Sequence, residues 1–196
     1  MEVLPDIVAP EPVVVFCGLA GAESTKLRDH YYETPGNSFW ELLHLSGFSP
    51  RRLRPEDDAA VADLGLGLTD LVGHWDPRSV DIDELVAKLA QWRPDWLAFT
   101  SKTVAHEAAR ALGVPRPGLG AVDWYLGPAQ VFVLPGVSGA NRRKDYDGRP
   151  DRLSWWLDLA GLALPSSRST TTPGAAHLAV PVPDAVIGER RDRPLR

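Results

Sequence analysis

Asp70 stands in the run Gly67-Leu68-Thr69-Asp70-Leu71-Val72, an acid set among glycine and apolar neighbours. A carboxylate so placed can take a proton from water, or it can close an Asx-type turn on its own backbone. Asp29 beside His30 is a second acid and base pair, although adjacent charges in a loop more commonly form a solvated pair. Tyr31 and Tyr32 offer aromatic faces able to stack on flat rings, and one of the two is expected to close over the core instead. Farther along, Ser138-Gly139-Ala140-Asn141 runs into Arg142-Arg143-Lys144, a basic trio suited equally to phosphate contacts and to a solvated charge run. His44, His74 and His106 lack metal-ligand spacing. Cys17 is the single cysteine, which leaves no intrachain disulfide and no multi-cysteine metal site, so neither metal nor cofactor is expected.

Regular elements must hold these residues. Val13 to Cys17 is a continuous β-prone apolar run ending at Gly18, the pattern of a strand buried on both faces of a parallel sheet. Ser38-Phe39-Trp40-Glu41 has capping-box spacing, and Phe39, Leu42 and Leu43 recur at helical intervals until Gly47, predicting a helix over 38–46. Asp81 and Glu84 open a second helix with Ile82, Leu85, Val86 and Leu89 on one face, ending at Trp92 and Pro94. Trp96 to Thr100 reads as a strand, and Ser101 caps a helix whose Val104, Ala105, Ala108, Ala109 and Leu112 share a side. Gln130 to Leu134 is a third strand, and Leu153, Trp156, Leu157 and Ala160 mark a closing helix. This alternation predicts a three-layer α/β/α sandwich around a central, mainly parallel sheet. Ligands of such sheets gather beyond the carboxyl ends of the strands, here after Cys17, Thr100 and Leu134.

Those loops carry a resemblance. Val14-Val15-Phe16-Cys17-Gly18, Pro35-Gly36-Asn37-Ser38-Phe39-Trp40, Ser46-Gly47-Phe48, Gly67 to Val72, and Val133-Leu134-Pro135-Gly136-Val137-Ser138-Gly139 follow one another in the order and spacing of a known family. Together they make the chain resemble the mismatch-specific uracil-DNA and thymine-DNA glycosylases, which belong to the uracil-DNA glycosylase superfamily. The resemblance implies base-excision repair of duplex DNA containing G·U or related mismatches, by a monomer that flips the target nucleotide out of the stack. Breaking the glycosidic bond puts positive charge on the sugar and negative charge on the leaving pyrimidine, so the site needs anion-stabilising donors and a group that orients water.

The first loop of this family normally reads Gly-Ile-Asn-Pro-Gly, with the asparagine holding the attacking water. Here the residues are Gly18-Leu19-Ala20-Gly21-Ala22, and alanine cannot hold a water. Asp70, in a segment the family uses to line the same pocket, becomes the catalytic candidate, with Asp29 second. Gly18, Leu19 and Ala20 are expected to line the base site, with the backbone amides of Leu19 and Ala20 hydrogen-bonding the base, and Tyr32 matches the position of a phenylalanine that stacks on it. The family's last loop is a wedge into the duplex, carried over to Ser138, Gly139, Ala140, Asn141 and Arg142. Ala140 fills space poorly, which predicts weak opposite-strand selectivity. Two rivals stand beside this reading: a catalytically inactive relative that binds mismatched or damaged DNA, and an unrelated α/β hydrolase or nucleotide-binding protein.

Bulk properties set the outer bounds. A chain of 196 residues, 44% hydrophobic and 24% charged, suits one globular domain, taken as residues 1–165. Residues 166–196, rich in Ser, Thr, Pro and Arg without periodicity, read as a flexible tail despite the apolar stretch Ala176 to Val182. Neither a membrane span nor a signal peptide is apparent, so a cytoplasmic location is expected. The net charge of -5 argues against a protein that coats DNA without regard to sequence, whereas a local basic patch suffices for an enzyme. Arg51, Arg52 and Arg54 read as a surface turn, and Lys102 as a solvated residue at the pocket edge.

Overall fold

In the computed structural model, the residues described are 4–19, 28–71, 80, 82–141 and 145–164. Hydrophobic strands and helices alternate along them. The elements are β1 (Ile7–Val8), β2 (Val14–Gly18), α1 (Phe39–Leu45), a 3-10 helix (Pro55–Leu64), β3 (Leu66–Asp70), α2 (Ile82–Trp92), β4 (Trp96–Phe99), α3 (Lys102–Leu112), β5 (Gly120–Leu126), β6 (Ala129–Val133) and α4 (Leu153–Ala163).

These strands form one six-stranded sheet in the order β1-β3-β2-β4-β6-β5. The inner four are mutually parallel, and the edge strands β1 and β5 run antiparallel to their neighbours. Because successive strand residues face opposite sides, β2 sends Val14 and Phe16 into one apolar layer and Val15 and Cys17 into the other. The first layer packs under α1 and α4, where Phe16 stacks on Trp156 with centroids 5.3 Å apart. The second packs under α2 and α3, through Leu85, Leu89, Val104, Ala105 and Ala108. Helices on both faces of a mainly parallel sheet are the architecture expected from the alternating pattern.

Several local expectations change. Ser38 makes no capping hydrogen bond, so the capping box does not form. Asn37 Oδ1 instead accepts from the Phe39 N–H at 3.0 Å, and Ser38 Oγ donates to the Val137 carbonyl at 3.0 Å. Leu157 is half exposed rather than part of the inner face of α4, which is formed by Trp156, Leu159 and Ala160. The Ser101 cap does form, its Oγ accepting from the Val104 N–H at 3.2 Å. Asp81 lies outside the described residues, as does everything from Pro165 onward, including Ala176 to Val182.

Candidate active site

The parallel strands β2, β3 and β4 end at Gly18, Asp70 and Phe99, and their register places Gly18 directly beside Asp70. Hydrogen bonds continue the alignment beyond the strands. Leu71 N–H donates to the Gly18 carbonyl at 2.8 Å, and the Cys17 carbonyl accepts from Thr100 N–H at 3.0 Å and Thr100 Oγ1 at 3.2 Å. A cleft of about 520 Å³ opens over these ends, within the range of roughly 300 to 1,000 Å³ typical of small-molecule sites. Asp70, Tyr32, Thr100 and Asn141 line it together with Gly18 and Leu19.

Asp70 lies against Gly18 so closely that a Cβ at residue 18 would collide with its Oδ1. The same Cβ position is 3.5 Å from the Tyr32 hydroxyl, so carboxylate, strand end and phenol converge on one point. Tyr32 has φ +54, in the left-handed region that non-glycine residues rarely occupy. That backbone is held by the ring, which stacks on Phe39 at 3.8 Å and 11°, and by its hydroxyl, which donates to Thr100 Oγ1 at 3.4 Å. Burial, and then the Asp70 charge, push the Tyr32 phenol well above its ordinary pKa, with the Thr100 hydrogen bond opposing. Tyr32 is therefore a neutral aromatic wall at physiological pH. Tyr31 belongs to the core at 3% exposure, with its N–H donating to Asp58 Oδ2 at 3.1 Å.

The loop after β6 forms the facing wall. Val137 anchors it in the core, whereas Ser138, Gly139 and Ala140 are exposed. Gly139 rests on the backbone of Gly36, where a Cβ would come within 2.7 Å of the Gly36 carbonyl oxygen. Asn141 turns its amide inward, donating to the Gly136 carbonyl at 3.0 Å. Arg152 ties the assembly together: NH1 donates to Ser38 Oγ at 2.7 Å, Nε to Tyr146 Oη at 3.0 Å, and NH2 to the Asn141 carbonyl.

Other candidates go elsewhere. Asp29 is exposed and does not line the cleft, and His30 pairs with Asp58 at 3.4 Å rather than with Asp29. Lys102 is at the cleft as expected, but it is bound to Asp147 at 2.6 Å rather than solvated. Arg51 pairs with Asp57 at 3.2 Å, and Arg52 with Glu41 at 3.9 Å. Ala20, His74 and the Arg142-Arg143-Lys144 trio lie outside the described residues. Arg28 and Arg152 were not anticipated from sequence. Arg28 stands in a polar stretch without periodicity, and Arg152 next to Asp151 resembles an ordinary surface charge at a helix start.

Residues 5–160 match the family model described as the uracil DNA glycosylase superfamily. The chain belongs to that superfamily. Its membership supports a DNA glycosylase role with DNA as the partner. The fold agrees with the solution NMR structure of a Methanosarcina acetivorans protein provisionally described as a uracil DNA glycosylase. That likeness has a TM-score of 0.53 at 19% identity and covers 82% of this chain and 97% of the other. Among the described residues, no helix is long and apolar enough to cross a membrane.

Proposed function

We propose that this superfamily member is a monofunctional, mismatch-directed DNA glycosylase, which removes uracil and related modified pyrimidines from duplexes such as G·U. It acts as a monomer without cofactor. The target nucleotide flips into the cleft, because its glycosidic bond is out of reach inside the stack. Tyr32 stacks on the base, the backbone amides of Leu19 and Ala20, just beyond Gly18, hydrogen-bond its oxygens, and Ser138 to Arg142 enter the gap left in the duplex. Asp70 accepts the proton of the attacking water, and its charge favours the cationic sugar as the bond breaks.

One observation carries the reading: the Asp70 carboxylate, the Gly18 strand end and the Tyr32 hydroxyl converge in one cleft. Ala20 favours a second reading, a catalytically inactive relative that binds mismatched or damaged DNA. Alkali-sensitive abasic sites in a labelled G·U duplex incubated with the purified protein and a chelator decide between them. Their accumulation under enzyme excess supports the glycosylase, and tight binding with no base release supports the inactive relative.

A further inference from the structure

The cationic side chains among the described residues of the cleft are Arg28 and Lys102. Asp147 neutralises Lys102, at 2.6 Å. Arg28 is only partly exposed, and its Nε is shut away from solvent with no hydrogen-bond partner. Withdrawing a guanidinium N–H from water without an acceptor is costly, so the position is unfavourable unless an acceptor arrives with a ligand. Asp70 lines the same cleft, so Arg28 and Asp70 bring opposite charges to the side where Tyr32 stands, with Asp145 a further carboxylate of the lining. Both charges reach the Tyr32 phenol, Asp70 favouring its neutral form and Arg28 opposing.

Glycosidic cleavage separates charge in the same sense. We infer that Arg28 receives the departing base, its guanidinium donating to the pyrimidine oxygens as negative charge collects on them. This rests on the glycosylase reading and assigns the half of the reaction that Asp70 leaves unserved. The C1′–N1 bond breaks with its electron pair leaving on N1 and spreading onto the ring oxygens. Water oxygen forms the new bond to C1′, its proton passes to Asp70, and the released base anion takes up a proton through solvent. A guanidinium is always charged and offers only donors, so its hydrogen bonds strengthen as the oxygens become anionic. A contact that strengthens toward the transition state raises the rate rather than ground-state binding alone.

The test is the dependence of rate on the leaving group, which a merely structural arginine does not alter. 5-Fluorouracil departs as a more stable anion than uracil and needs less help. In single-turnover assays Arg28→Gln is expected to slow uracil release about 100-fold and 5-fluorouracil release less than about tenfold. Arg28→Lys, which keeps the charge and loses the planar fork, falls between wild type and Arg28→Gln. Equal losses for both bases, or no loss, overturn the assignment. Calorimetry with 5-nitrouracil, an anion at neutral pH, reads the site without any cleavage. Wild type binds it and Arg28→Gln weakens it at least about tenfold, whereas equal binding, or none by wild type, overturns the assignment. A wild type that releases no base yet binds this anion through Arg28 removes the glycosylase reading and keeps the anion site. Uracil excision with an unchanged leaving-group dependence in Arg28→Gln does the reverse.

Discussion

Gly18 matters because the Asp70 carboxylate occupies the space a side chain would need there. In Gly18→Ala the acid is retained but must swing away from the strand end. Displacements near 1 Å cost on the order of 100-fold in rate, so this variant should lose at least about that factor in uracil excision. Circular dichroism and melting should stay near wild type, since the added methyl meets a side chain and not the core. Full activity in Gly18→Ala would mean that the observed Asp70 position is irrelevant. Asp70 was legible in sequence as a lone acid in an apolar segment. Residue type alone leaves Tyr32 as one of two adjacent tyrosines, and only the resemblance singles it out, because what separates them is a positive φ that propensity does not reveal.

Helices and central strands follow from hydrophobic period, and β2, β4, β6 and all four helices are recognisable from it. Less regular elements are not. β3 is as long as β2, but Gly67 and Asp70 are poor strand formers and lower its signal, yet it presents Asp70. β5 is an edge strand with alternating burial, broken by a register shift between Ala121 and Tyr125. The loop after β6 depends on a side chain far along the chain, since Arg152 reaches Ser38 across 114 positions. No local pattern announces such a contact. Arg152→Met should free the Ser138 to Ala140 apex, reducing excision from duplex by about tenfold or more while sparing uracil in single strands. It should also cost about 1 to 3 kcal/mol of stability through the acceptors left unpaired, measurable by urea unfolding. Equal losses on both substrates would argue that the loop plays no part in opening the duplex.

Across the whole molecule, burial and then the Asp70 charge raise the pKa values of Cys17, Tyr31 and Tyr32. In the unfolded chain these groups titrate near their ordinary values, 9.0 for the thiol and 10.0 for the phenols. The unfolded state therefore releases its protons first, and stability must fall as pH rises. The contribution is complete below about pH 8.5 and declines above it, by about 1.4 kcal/mol per pH unit for each group once its unfolded form is ionised. Urea unfolding across pH 7 to 11 should show this decline, and Tyr31→Phe should remove one group's share of the slope. A pH-independent stability would mean that these groups ionise equally in the folded protein.

The central claim is that Asp70 does what Ala20 cannot. Single-turnover excision of uracil from a G·U duplex by Asp70→Asn, which keeps the shape and removes the charge, tests it most directly. A rate at least about 100-fold below that of wild type, with duplex binding retained, is the predicted result. An unchanged rate would take Asp70 out of the chemistry.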